Sequence, residues 1–250
     1  FGLPGVEAQL AGFVLAFAGP PLLLLGLPPI LAIDHEGGRV QRLKAPLTVW
    51  PRMERLRPHP PALAEQVGRA MAVELAALGL NVNFAPVLDV NSNPQNPIIG
   101  DRAFGETAAA VSARALAFLR GLESRGGLRG CGKHFPGHGD TATDSHLTLP
   151  VVRRDWPTLE AVELLPFRRA ISASIGMLMT AHVVYPAVDS RPATLSRRWL
   201  TEILRGEPEL LHAIVSAVRA QVPADIPFTA KMRLGIEDCS LAVDCAQAIE

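Results

Sequence analysis

Cys131-Gly132-Lys133-His134-Phe135-Pro136-Gly137-His138-Gly139-Asp140-Thr141-Ala142-Thr143-Asp144-Ser145-His146-Leu147-Thr148-Leu149-Pro150 is the run whose reading decides the fold. It is too polar for a core strand and too rich in Gly and Pro for a helix, so it reads as the place where a strand ends and opens into a long loop. Lys133 and His134 close that strand and point into a site, while Gly137 and Gly139 let the backbone turn sharply. Asp144 and His146 are two residues apart, which in an extended loop projects both to one side. A carboxylate beside an imidazole orients the ring and raises its basicity, a general acid/base arrangement. The plain alternative is a polar surface loop whose His residues only cap or pair; the density of titratable groups favours a site.

Helical patterns flank this run. Over residues 61–80, Leu63, Val67, Ala70, Met71, Leu75 and Leu78 recur at helical spacing as a core stripe, and Gly79 is a stop. Residues 106–126 form a second helix with Val111, Ala115, Phe118, Leu119 and Leu122 inward and Gly126-Gly127 at its end. Residues 155–174 form a third, with Leu159, Val162, Leu165 and Phe167 in the core. Strands are expected over 82–87 and 177–182, and the run over 28–34 ends a buried parallel strand at Asp34. Asp34 is an acceptor and Arg42 a fork of donors, a pair that suits a polyol ligand, with a solvated surface ion pair as the plain alternative. Arg102, in the polar loop after 82–87, is a further candidate donor; turn chemistry is the plain alternative for Asp89 and Asn91, and Asn91 reads that way. His182 ends its strand, with a structural and a substrate role both open.

Polar motifs that always follow strands are the pattern of an α/β protein, (β/α)8 TIM-barrel-like, incomplete or chimeric. A doubly wound open sheet is the alternative, and the lack of a Gly-rich phosphate fingerprint counts against it. With 24 Lys+Arg against 24 Asp+Glu, net charge is zero, so neither a nucleic-acid nor a membrane-surface field is expected. The three Cys form no C-x-x-C, which points to a reducing compartment without a structural metal. The apolar opening, residues 11–32, approaches a membrane length, but Pro20, Pro21, Pro28 and Pro29 break a spanning helix, so it reads as one or two buried segments.

KHFPGHGDTATDSH resembles the signature loop of glycoside hydrolase family 3, in its β-N-acetylhexosaminidase branch. IDHEGGRVQRL (33–43), NFAPVLDVN (83–91), IIGDRAFG (98–105) and MTAHVVYPAVD (179–189) are similar to that family in the same order, covering about residues 30–205. The resemblance implies a barrel that removes terminal β-linked N-acetylglucosamine with retention. It makes His146 the acid/base, held by Asp144, and places Asp34, Arg42, Arg102, Lys133 and His134 on the sugar. It implies an N-acetylglucosamine-containing saccharide or muropeptide as partner, a cytoplasmic role in peptidoglycan recycling, and no cofactor or metal.

The pattern changes after residue 205. The family continues into a strand ending Ser-Asp-Asp, whose first Asp is its nucleophile; here the chain reads GEPELLHAIVSAVRAQVPADIPFTAKMRLGIEDCSLAVDCAQAIE. That tail resembles a tRNA-dihydrouridine synthase fragment, in which Lys231 matches a flavin contact. The reading is thus two pieces, 1–205 and 206–250. Asp238 is a stand-in nucleophile. A non-catalytic sugar-binding barrel and an FMN-dependent dihydrouridine synthase-related protein stay open as alternatives. An incomplete barrel also invites self-association.

Overall fold

Short β-rich runs that end in Gly, Pro or a charged residue alternate here with longer Ala- and Leu-rich stretches, and each becomes its own element. The computed structural model describes residues 30–143 and 148–204, together with the backbone of 15–17. The rest of the apolar opening, Asp144, His146 and the tail with Lys231 and Asp238 lie outside the described residues. Nine strands occur among the described residues: β1 (Leu15–Phe17), β2 (Ile30–Ile33), β3 (His35–Gly37), β4 (Val40–Gln41), β5 (Val82–Asn83), β6 (Arg129–Phe135), β7 (Met177–Thr180), β8 (Val184–Tyr185) and β9 (Asp189–Pro192). The α-helices are α1 (Pro61–Ala77), α2 (Ala108–Glu123), α3 (Trp156–Ala161) and α4 (Leu164–Ser172), followed by a π-helix, Arg198–Ile203.

The main sheet runs β1-β2-β5-β6-β7. Its last four strands are parallel and β1 is antiparallel to β2. This is an α/β fold with a parallel sheet, and the parallel strands bring their C-terminal ends to one edge. β3–β4 and β8–β9 are small antiparallel pairs beyond that edge.

Several elements differ from the sequence reading for local reasons. The strand expected over 82–87 stops at Asn83: Pro86 has no N–H for the ladder, and the Ala85 N–H turns back to the Asn83 carbonyl at 2.8 Å. The single helix expected over 155–174 is two helices. Pro166 cannot donate to the Val162 carbonyl one turn back, and the break falls at Val162–Glu163. By contrast, the strand expected to close at Lys133 and His134 is β6, an inner strand of the sheet, with Lys133 buried. Ala70, expected in the core stripe of α1, is exposed, because the closest approach of this helix to α2 is made through Gly68 instead.

That helix contact is very tight. A Cβ on Gly68 would lie 2.2 Å from the Phe118 carbonyl oxygen, and one on Gly121 would lie 1.9 Å from the Glu65 carbonyl oxygen. Two glycines on facing helices let the backbones touch, and Val111, Ala115, Phe118, Leu119 and Leu122 bury the inner side of α2 as the spacing predicts. Behind the sheet, Phe135 packs edge-on against Phe167 and Trp199 at 5.5 and 5.9 Å between ring centres, and Tyr185 joins Trp199 at 5.2 Å. This cluster ties β6, α4, β8 and the π-helix together.

Gly121→Ala is expected to lower stability by about 1–3 kcal/mol, the usual range for overpacking. Urea denaturation measures it; an unchanged midpoint would mean that the helices part at no cost.

Candidate active site

The site is built at the C-terminal edge of the parallel strands. Asp34 follows β2, Glu36 lies in β3, Asp89 follows β5, and Lys133 and His134 close β6. Asn83, at the end of β5, fixes the turn after β2: its side chain accepts from the His35 N–H at 3.1 Å and donates to the His35 carbonyl at 2.8 Å.

Lys133 is only 1% exposed. Its Nζ meets Asp34 Oδ1 and Glu36 Oε1, both at 2.5 Å. Arg102 closes the group from the other side, donating from Nε and Nη2 to the two oxygens of Glu36 at 2.8 and 2.7 Å. Its Nη1 donates to the Ile98 carbonyl at 3.2 Å. Two cations thus balance two carboxylates. Burial opposes ionisation of Glu36, but the Lys133 ammonium and the Arg102 fork outweigh it and hold the carboxyl down at about 2. Asp34 is the outward member, its side chain 35% exposed.

Asp89 organises the second half. It is fully buried, and its Oδ1 accepts from the His134 and His138 N–H groups at 3.1 and 2.7 Å. Its Oδ2 lies 2.7 Å from His134 Nδ1. Burial works against this carboxylate as well, yet His134 and His138 keep it below the usual range. An ionised carboxylate can only accept, so the His134 proton sits on Nδ1 and Nε2 is the nitrogen available to a ligand. The His138 ring, held below its usual range by burial, meets Thr141 Oγ1 at 2.8 Å and is a structural histidine.

Of the residues singled out from sequence, Asp34, Lys133, His134 and Arg102 converge. Arg102 and Lys133 chiefly hold carboxylates, so Asp34 and His134 are the groups best placed to meet a ligand. Arg42 is exposed, one residue past β4. His182 is half-buried just after β7, and burial lowers its ring below the usual range. Two members were missed. Glu36 is not singled out in the sequence, although its two-residue spacing from Asp34 was a signal. Asp89 is not singled out in the sequence, where turn chemistry is its plain alternative, and nothing local marks it as the partner of a residue 45 positions away.

The glycosyl hydrolase family 3 N terminal domain matches residues 22–218. The chain belongs to this family. A dihydrouridine synthase (Dus) match covers residues 202–250. The chain is 47% identical over 184 residues to a beta-hexosaminidase of Chromobacterium violaceum, covering 71% of this chain and 51% of that protein. Among solved structures, a family 3 β-N-acetylglucosaminidase from Paenibacillus sp. str. FPU-7 superposes with a TM-score of 0.70 at 41% identity, over 76% of this chain and 38% of that one. NagZ from Neisseria gonorrhoeae, in complex with N-trifluoroacetyl-D-glucosamine, gives 0.66 at 45% identity, over 70% of this chain and 52% of that one. The chain spans about half the length of the curated relatives it matches. Among the described residues no helix is long and apolar enough to cross a membrane.

Glu36→Gln is expected to cost about 3–5 kcal/mol at neutral pH, because it leaves a buried Lys and Arg short of a counter-charge. The folded carboxyl, at about 2, lies below its ordinary 4.5, so its stabilisation is present above about 4.5 and fades as pH falls toward 2. Urea midpoints taken down that range should fall more steeply for the wild-type chain than for the variant; parallel curves would contradict the assignment.

Proposed function

We propose that this chain is the sugar-binding part of a retaining glycoside hydrolase acting on terminal β-linked N-acetylglucosamine. The observation that carries the reading is the outward Asp34 carboxylate, held by Lys133 at the same strand edge as an Asp89-oriented His134. A fixed acceptor beside a fixed imidazole suits the hydroxyls of a pyranose, and rigid contacts to non-reacting hydroxyls supply binding energy for the transition state. Similarity to proteins named beta-hexosaminidase, and to one solved with an N-acylated glucosamine, supports the same substrate class.

In this reading Arg42 and Arg102 complete the sugar pocket, and His182 adds a neutral ring at its edge. His146, held by Asp144, is the acid/base that protonates the leaving oxygen and later deprotonates water. The parallel sheet is part of a (β/α)8 barrel. The substrate is a muropeptide or related saccharide handled in cytoplasmic peptidoglycan recycling. The matched segments overlap at 202–218, which supports a junction near 205–207 between two ancestries. Because that junction replaces the family's nucleophile segment, a barrel that binds sugar without turnover is the second reading. Asp238 is the replacement nucleophile if turnover occurs, and self-association covers the incomplete barrel. The flavin reading rests on the 202–250 match alone.

Release of chromophore from an aryl N-acetyl-β-glucosaminide, measured beside His146→Ala and Asp34→Asn, separates these readings. Turnover lost in His146→Ala supports the hydrolase. N-acetylglucosamine binding without turnover supports the second reading. Asp34→Asn should weaken binding about tenfold or more, since a hydrogen bond to a charged group contributes roughly 1.5–3 kcal/mol. Neither binding nor turnover from the folded chain would overturn both.

A further inference from the structure

Arg154 joins three segments through contacts that the sugar site does not use. Its Nη2 donates to Asp140 Oδ1 at 2.6 Å and to Ser92 Oγ at 3.0 Å, while its Nη1 donates to Glu163 Oε1 at 2.8 Å. Ser92 lies in the connection after β5, Asp140 in the loop after β6, and Glu163 just ahead of α4. The Glu163 side chain is 2% exposed, and its Oε2 is buried without a hydrogen-bond partner. A charged bridge this deep is costly unless its geometry is held, so its ends restrain the segments they touch.

Those restraints reach the sugar site. A Cβ on Gly137 would lie 2.8 Å from Glu163 Cβ, so the loop rests directly on this side chain. The rest of the loop is tied down by neutral groups: the Tyr185 hydroxyl donates to the Gly137 carbonyl, and Asn96 donates to the His138 carbonyl at 2.8 Å. A Cβ on Gly139 would lie 1.6 Å from the Val90 carbonyl oxygen, which leaves this part of the loop no lateral freedom. Between Gly137 and Gly139, the His138 N–H donates to the Asp89 carboxylate that orients His134.

We propose that Arg154 is a positioning residue for His134, acting through Asp140 and the 137–141 segment, and that Glu163 makes this positioning respond to proton uptake. The proposal deepens the sugar-binding reading and rests on it only where His134 is taken to meet the sugar. The charged and titratable groups acting on Glu163 are Arg154 ahead of α3, Asp140 after β6 and Asp89 after β5. Tyr185 of β8 shares this field; burial raises its hydroxyl, which stays neutral. Burial pushes the Glu163 carboxyl up to about 7, with Arg154 opposing and Asp140 and Asp89 adding to the rise. Above about 7 the guanidinium is shared between two carboxylates; below it Glu163 is neutral and the charge of Arg154 falls to Asp140. Because the folded value lies above the ordinary 4.5, Glu163 contributes stability that is present below about 4.5 and lost as pH rises through about 7.

The test follows the His134 ring nitrogens by 15N NMR through this range in wild type, Glu163→Gln and the double variant Arg154→Met with Glu163→Met. The double variant removes the buried Glu163 carboxylate together with the part-exposed Arg154, so it keeps the fold where Arg154→Met alone would strand a buried carboxylate. The expected result is a His134 pH profile through pH 7 that differs between wild type and Glu163→Gln, with signals displaced at every pH in the double variant. Affinity for N-acetyl-D-glucosamine should fall roughly tenfold or more in the folded double variant, as expected when a contact group is displaced. His134 signals that superimpose in all three proteins would overturn the proposal. A wild-type chain that binds no sugar would count against the proposed function, while the His134 signals would still decide the role of Arg154.

Discussion

A lysine ammonium has been drawn inside a parallel sheet, and much of the site is arranged around that fact. Lys133 cannot stay charged in the interior without carboxylates at contact distance, and Asp34 and Glu36 supply them at 2.5 Å. Glu36, itself buried, then requires more positive charge than one ammonium shared with Asp34, and the Arg102 fork answers from a loop far along the chain. The resulting quartet is neutral as a whole. Only one carboxylate, that of Asp34, is left substantially open to solvent. The fold therefore fixes the position of the one carboxylate in the quartet that faces outward.

Asp89 repeats the principle on the neighbouring strand end. One buried carboxylate accepts two backbone N–H groups and one ring nitrogen, so it fixes the path of the chain through His134 and His138 together with the His134 tautomer. The loop can lie this close only because Gly139 has no side chain to collide with Val90. Stability and site geometry are the same contacts here, and weakening one weakens the other.

The helices were largely legible from periodicity: the inner residues of α2 are those that helical spacing selects. The exceptions have local physical causes. Proline ended β5 early and split the segment over 155–174, because a missing N–H interrupts a ladder or a helical turn. In α1 the pattern pointed to Ala70, but the facing backbone came closest at a glycine, which a hydrophobic count overlooks. At β6 the strand end was legible, but the burial of Lys133 was not, because the carboxylates that pair with it lie far away in sequence.

The sequence by itself determined the family, the order of the motifs and the kinds of group gathered at the strand ends: carboxylates, imidazoles and basic residues after short apolar strands. Tertiary structure decided which of them hold one another and which remain open. Lys133 meets a carboxylate 99 residues away, and Arg102 meets one 66 residues away. Pairings at that separation are set by strand order and register, so local spacing gave Glu36 and Asp89 no sign of their partners. The physical reason is desolvation: once buried, a charge must find its opposite wherever the fold has brought one.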